Sequence, residues 1–237
     1  MSHRLFALLV TFALVGCAST PTALPQTSRV AVVSLLGSDL KLRQVGITVF
    51  GNSSKSVDVT TWSVDTHVEE SAAAALETAG RRAARAAPES AREIGKWSYT
   101  PFTSTYSFAG GTSSLRKVAL QAHADYLILI TEMPFNFTDP FFRTNQSITG
   151  FGVYQRRGSG GIIYADLGIL LVDGKSGDVL DRRRGVASAV RPESVSLDIE
   201  NTQPQASALG QAPADFFAVI DEAVKKGLGY LGLVPPK

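Results

Sequence analysis

The residues that could catalyse a reaction or bind a small ligand are few and lie far apart in the chain. Gly174-Lys175-Ser176 ends like a phosphate-binding loop, but Ile169 stands where that motif needs its first glycine. His67 and His123 fall at the ends of two different predicted helices, whereas zinc needs three or four ligands at one point. No GxSxG nucleophile motif occurs. We therefore predict no metal, no cofactor and no catalytic residue.

Asp166 is a charged residue inside an otherwise apolar run, residues 162–172, which we predict to be a β-strand. A turn cluster joins it to a second predicted strand, residues 179–189, so the two form an antiparallel hairpin. The register that follows from this turn places Gly168 opposite Arg183, and Asp166 and Arg183 then share one face as a diagonal pair. This pair is either a salt bridge on the solvent side or a ligand-binding site built on the carboxylate.

The single cysteine, Cys17, follows an apolar run of 11 residues, Leu5–Val15, which Arg4 precedes. A positive flank, a short apolar core and a small residue before the cysteine are typical of a secretory signal peptide, and the run is too short to span a bilayer as a helix. Leu14-Val15-Gly16-Cys17 resembles the lipobox of bacterial lipoproteins.

That resemblance implies that residues 1–16 are removed and that Cys17 carries the lipid on its thiol and its new amino group, with fatty acids such as palmitate. Several acyl chains hold a protein on a bilayer far more firmly than one. Ala18 follows the cysteine where the inner-membrane retention signal of the family has aspartate. The expected location is the outer membrane, with the folded part on the periplasmic face. The alternative is an incidental cysteine beside an ordinary cleavage site within residues 17–19.

The sequence that remains after cleavage argues against nucleic-acid binding, disulfide bonds and a transmembrane helix. Loss of Arg4 leaves 22 Lys+Arg against 21 Asp+Glu, and this near balance gives no indication of nucleic-acid binding. With one cysteine no intramolecular disulfide can form, so stability has to come from packing. No later apolar run reaches the ~18 residues of a transmembrane helix.

Residues 17–28 predict a lipidated cysteine followed by a flexible, proline-containing tether, of which residues 18–28 span roughly 34 Å when extended. Residues 29–237 predict a single domain. Its clearest strands are 29–36, 45–50, 126–131, 162–172 and 179–189, its helices begin at Thr66, Ser114 and Pro213, and residues 191–212 read as a long loop. This order predicts an α/β fold: a layered domain with a mixed β-sheet packed by two or three helices.

The segment 133–154 is unusually long and aromatic for a connection between strands. Five phenylalanines occur in it among Asn, Thr, Gly and Pro: Phe135, Phe137, Phe141, Phe142 and Phe151. Two interpretations are open: an inserted hairpin lying over the sheet, or an exposed aromatic surface that contacts a protein partner or the membrane interface.

Two short sequence segments resemble segments of the curli-secretion lipoprotein and of the amino-terminal domain of the Tol-system propeller protein. They are Ala124-Asp125-Tyr126-Leu127-Ile128 and the run LVDGKSG at 171–177. The similarity covers roughly residues 29–190 and implies an envelope domain that binds proteins and performs no chemistry. The curli relative inserts membrane hairpins into a ring-shaped pore; here only residues 148–172 could do so, and Arg156, Arg157 and Asp166 interrupt them.

These observations favour a non-catalytic, membrane-anchored envelope lipoprotein that faces the periplasm as a protein-binding or assembly module. Its expected partners are the membrane, through the lipid anchor, and another envelope protein. A subunit of an oligomeric secretion pore and an envelope hydrolase are the alternatives.

Overall fold

A computed structural model describes residues 24–45, 52–100, 105–132, 135–138, 145–156, 161–190 and 213–235. Cys17, the predicted leader and the predicted loop 191–212 lie outside the described residues.

The described residues form twelve strands and four helices. The strands are β1 (Arg29–Ser34), β2 (Asp39–Val45), β3 (Ser53–Asp58), β4 (Arg82–Arg85), β5 (Trp97–Thr100), β6 (Thr105–Phe108), β7 (Tyr126–Glu132), β8 (Phe135–Thr138), β9 (Asn145–Ile148), β10 (Gly150–Arg156), β11 (Gly161–Asp173) and β12 (Val179–Val190). The helices are α1 (Val64–Thr78), α2 (Ser90–Ile94), α3 (Gly111–Gln121) and α4 (Pro213–Tyr230), and a 3-10 turn covers Thr60–Trp62.

The long strand β11 organises the main sheet of eight strands. One edge of β11 pairs with β12 along nearly its whole length. Its other edge is shared, because β10 pairs with residues 161–166 and β7 with residues 167–173. The sheet therefore forks at β11 into one branch β10-β2-β3 and another branch β7-β1-β4.

The strands β1 and β7 are interior, adjacent and parallel, as their apolar, β-branched sequences predict. Val32, Val33, Ile128 and Leu129 are fully buried, since both faces of these strands are covered. A mixed sheet results because β1 pairs in parallel with β4 and β7, whereas β7 pairs antiparallel with β11.

Helices cover both faces of the β7-β1 branch. On one face, Val68 of α1 and Ile220 of α4 lie in the same apolar cluster as Ile130. On the other face, Ile94 of α2 and Leu115 of α3 pack with Leu127, Leu129 and their neighbours. The predicted layered α/β domain with a mixed sheet is confirmed. The described residues form four helices, more than the two or three predicted. The helix that was not predicted is α2, whose five residues are too few for a helical periodicity to indicate it in the sequence.

The first helix is shorter than its alanine-rich sequence predicts. Its apolar spacing continues to Ala83, but α1 ends at Thr78 and Gly80 adopts a left-handed conformation with φ of 77°. The chain then returns as β4, which pairs with β1. Tertiary pairing at the open edge of β1 thus overrides a local helical preference.

Helix α4 lies unusually close to the sheet because two glycines face each other across the contact. A Cβ atom on Gly185 of β12 would overlap the Ala223 carbonyl oxygen, and one on Gly227 of α4 would overlap the Ile169 side chain. Both glycines are buried, so their missing side chains set the helix-to-sheet distance.

Candidate functional site

Asp166 of β11 is fully buried and pairs with Arg184 of β12. Arg184 donates from Nε to Oδ1 at 2.6 Å and from Nη2 to Oδ2 at 2.5 Å, which is a bidentate ion pair. Burial raises the pKa of the Asp166 carboxyl above its ordinary value, and the hydrogen bonds from Arg184 oppose that rise.

The predicted partner of Asp166 was wrong by one residue. The predicted location of the pair on the solvent side was also wrong, because Asp166 is fully buried. A register shift between Leu171 and Val172 places Gly168 opposite Arg184 instead of Arg183. Arg183 points to the other face of the hairpin and donates from Nη2 to Asp181 Oδ2 at 3.1 Å.

Further polar side chains surround the fork of the sheet, where β7 ends and β10 begins. Lys41 Nζ lies 3.4 Å from Glu132 Oε1, and the Thr149 hydroxyl donates to Glu132 Oε2 at 3.4 Å. Tyr164 is buried beside them, and desolvation raises the pKa of its hydroxyl. These charges pair with one another within the sheet, which is typical of a structural polar cluster.

The carboxyl end of β1 is occupied by carboxylates of the protein itself. Asp65, in the first turn of α1, accepts hydrogen bonds from the Ser34 hydroxyl at 2.6 Å and from the Leu36 amide at 3.0 Å. Glu69, one turn later, accepts from the Ser34 amide at 3.0 Å and from Arg85 Nε at 3.2 Å. Burial raises the pKa of the Glu69 carboxyl despite these bonds. Open α/β sheets usually bind small ligands at this position, and here it is filled.

The two histidines considered as metal ligands lie apart. His67 Nε2 is 2.9 Å from Asp221 Oδ1, and its ring stacks on Phe217 at 3.9 Å, so that it joins α1 to α4. His123 is exposed just beyond α3. Across the described ranges no group of three His, Cys, Asp or Glu side chains is placed to hold a metal ion.

None of the helices in the described residues is both long enough and apolar enough to cross a membrane.

The aromatic segment divides into a hairpin and an interior strand. β8 and β9 pair antiparallel, with Phe135 opposite Ile148, as the interpretation of an inserted hairpin predicts. Phe151 belongs to β10 and is fully buried in the main core, so its predicted place on an exposed aromatic surface is wrong. Phe141 and Phe142 lie outside the described residues, and for Phe135 and Phe137 only the backbone is described.

The outer edge of β12 is the feature that the sequence reasoning missed. Within the described residues, β12 pairs with β11 on one side only, and its 12 residues leave the other edge without a strand partner. Three of its large apolar side chains are exposed: Val179 at 37%, Leu180 at 44% and Val190 at 73%. The sequence feature that could have indicated an edge strand is the run of three arginines at 182–184, since charged residues are typical of edge strands.

A cavity of about 650 Å³ lies beside the first residues of β12. Phe108, Thr112, Leu115, Leu180 and Arg182 contribute to its walls. Arg182 is half-buried, and no ion pair joins its guanidinium to any carboxylate in the described part of the chain. This cavity and the open edge together form the candidate binding surface, defined as Val179–Arg184 with the cavity walls.

No family model matches the chain, and no curated protein has significant sequence similarity to it. Among the solved structures that are similar to it at low sequence identity and low TM-score are the following three. PelC of Paraburkholderia phytofirmans, described as a dodecamer, is 12% identical with a TM-score of 0.38, over 90% of this chain and 94% of that chain. Protein XCC0632 of Xanthomonas campestris is 13% identical with a TM-score of 0.41, over 87% and 86%. Lipoprotein GNA1162 of Neisseria meningitidis is 13% identical with a TM-score of 0.32, over 79% and 94%. Similarity at this level carries no conclusion about function, which has to be inferred from the residues of this chain.

Proposed function

We propose that the chain is a non-catalytic lipoprotein domain that is anchored to the outer membrane, faces the periplasm and binds an envelope protein. The lipobox ending at Cys17 supports the anchor. The observation that carries the binding role is a contrast between two sets of polar groups. The buried carboxylates are already bonded to the protein itself, whereas the outer backbone edge of β12 has no strand partner in the described residues.

The first half of this contrast argues against catalysis at the carboxylates. A general acid or base must reach the proton that it transfers, within hydrogen-bond distance or through one water. Asp166 is fully buried, with both carboxylate oxygens bonded to Arg184. Glu69 is 9% exposed, and its two oxygens accept from the Ser34 amide and from Arg85. These groups hold strands and helices together, which supports a binding role for the domain over catalysis at these carboxylates.

The position of Leu24 supports a location close to the bilayer. Leu24 falls inside the predicted tether but is buried, 7% exposed, in the main apolar cluster. Leu24 lies seven positions after Cys17, and seven extended residue steps span at most about 25 Å. A lipid on Cys17 would therefore keep Leu24, where the chain enters the domain, within about 25 Å of the membrane surface.

The experiment compares the wild-type chain with Cys17→Ser in cells. We expect wild type in the outer-membrane fraction, with a mass increased by the acyl chains, and Cys17→Ser in the soluble periplasmic fraction. Chemical crosslinking of intact cells should join wild type to a discrete envelope protein, and the yield should fall in Cys17→Ser because the anchor sets the local concentration.

Two results would contradict the proposal separately. Cys17→Ser that stays in the membrane pellet as firmly as wild type would disprove the anchor. Correct anchoring without any discrete adduct would disprove the protein-binding role, and a ring-sized mass of the chain alone in detergent would favour the pore subunit instead.

A further inference from the structure

We infer that the candidate binding surface takes an extended, acidic segment of the partner protein, which adds as an additional strand to the edge of β12 that has no strand partner among the described residues. This inference rests on the proposed protein-binding function and specifies the site and the chemistry of the partner.

The backbone of β12 supplies the first reason. An edge strand presents a row of unpaired N–H and C=O groups, and an added strand satisfies them with main-chain hydrogen bonds. β12 has 12 residues, whereas the other two edge strands of the main sheet, β3 and β4, have six and four. The first half of β12 alone offers a six-residue template, about 20 Å long.

Apolar exposure supplies the second reason. Val179 and Leu180, at the start of β12, are 37% and 44% exposed and therefore still have apolar area to bury. Leu180 also lines the cavity of about 650 Å³, together with Phe108 and Leu115. Alternate side chains of an added strand point to this face of the sheet, so the cavity can receive one of them.

Charge determines which segment fits. Arg184 is held by Asp166 and Arg183 by Asp181, which leaves Arg182 as the arginine of the run without an ion pair among the described residues. Asp181 is occupied, because it accepts from Arg183 and from the Arg182 amide at 2.7 Å. Asp178, four residues before Arg182, is exposed at the cavity wall and would repel an acidic side chain placed beside it, so the carboxylate of the segment has to lie at Arg182. A carboxylate placed at Arg182 gains a charge-assisted bond, whereas a basic segment would meet the guanidinium.

The same charges disfavour a second copy of this chain as the occupant. Antiparallel pairing of the first halves of two β12 edges would bring the two Arg182 guanidiniums, which have no ion pair among the described residues, toward each other. Like charges on neighbouring strands are destabilising. The acidic segment of a different protein is therefore the occupant that the surface fits.

The test places a photoreactive p-benzoylphenylalanine at Leu180 in the full-length lipoprotein and irradiates intact cells. Leu120 and Tyr230, exposed at 68% and 59% and located on α3 and α4, are the matched control positions. We expect an adduct from position 180 and little from the two controls. Mass spectrometry of the adduct should map the crosslink to an acidic, extended segment of the partner.

A synthetic peptide of the mapped segment is then titrated against purified Cys17→Ser protein. Arg182→Glu should weaken its binding by about tenfold or more, because it replaces an attraction with a repulsion at the centre of the surface. Arg116→Glu, which reverses an exposed charge on α3, should change binding by less than about twofold. Unchanged melting temperatures show that both variants are folded.

Several outcomes would overturn the inference. They are an adduct with a second copy of the chain, a mapped segment without acidic residues, equal adducts at all three positions, or equal effects of the two charge reversals. Adducts only at Leu120 or Tyr230 would overturn this inference while the proposed protein-binding function stands. If no position gives a protein adduct, the result contradicts both this inference and the proposed protein-binding function.

Discussion

The guanidinium of Arg184 holds the carboxylate of Asp166 through two hydrogen bonds, with the Asp166 side chain fully buried and that of Arg184 26% exposed. The pair joins β12 to β11 at the point where β10 and β7 share the other edge of β11. It therefore ties β12 to β11 in the register that the backbone ladder sets.

Removing the arginine of this pair should be costly. Arg184→Ala leaves Asp166 buried without its partner, and we expect a loss of about 3–5 kcal/mol in the free energy of unfolding, as for other broken buried pairs. The matched control is Arg183→Ala, whose salt bridge with Asp181 lies at a partly exposed site and should contribute about 1 kcal/mol or less. Urea denaturation monitored by circular dichroism measures both. Equal losses would contradict the assignment of Arg184 as the structural partner.

Close packing of α4 on β12 depends on Gly185. Gly185→Val introduces side-chain atoms where the Ala223 carbonyl lies, so helix and sheet have to separate. We expect a loss of at least about 1–3 kcal/mol in the free energy of unfolding. Ser188→Val, on an exposed position of the same strand, is the control and should be nearly neutral. A Gly185→Val protein as stable as wild type would show that the helix can move away freely.

Asp173 should make the protein sensitive to acid. The amides of Ser176 and Lys175 donate to Asp173 Oδ1 at 2.8 and 2.7 Å, and they hold the pKa of its carboxyl below 3.8. A folded-state pKa below the unfolded value means that the stabilisation is present above about pH 4 and is lost as the pH falls through the folded pKa. The stability of wild type should thus fall more steeply below pH 4 than that of Asp173→Asn. Parallel stability profiles of the two proteins from pH 5 to about pH 2 would contradict this.

Phe141 and Phe142 remain a predicted aromatic contact surface, since the structure does not describe them. If they are exposed, Phe141→Ser combined with Phe142→Ser should leave the melting temperature nearly unchanged while crosslinking to the partner or association with liposomes falls. Phe151→Ser is the matched comparison. It should lower the free energy of unfolding by about 3 kcal/mol or more, because Phe151 is fully buried. A loss of that size in the double variant would place the pair in the core.

Much of the domain could be predicted from local patterns in the sequence. The apolar runs around Val32 and Ile128 predicted interior strands, because strands covered on both faces need apolar side chains throughout. The turn from Asp173 to Asp178 predicted the hairpin, and its geometry is local: Asp173 binds the amides two and three residues later. These features depend on neighbours in the chain, and sequence reasoning reaches them.

Tertiary structure decided what depends on distant partners. The alanine-rich spacing up to Ala83 fits a helix, yet residues 82–85 became a strand because β1 offered them an open edge. Phe151 was buried because β10 entered the main sheet between β2 and β11. Neither outcome has a signature within the local sequence, since both strand pairings join residues distant in the chain.

The sequence by itself determined the α/β class and the hairpin that contains Asp166, and it carries the resemblance to a lipobox at Cys17. Only the tertiary structure decided that Asp166 pairs with Arg184, because a shift of one residue at Leu171 and Val172 changes the partner of every later residue in the ladder. It also decided that, within the described part of the chain, β12 ends the sheet with one edge that has no strand partner. The reason is that strand order arises from contacts over the whole chain, whereas periodicity reports only whether a segment is buried.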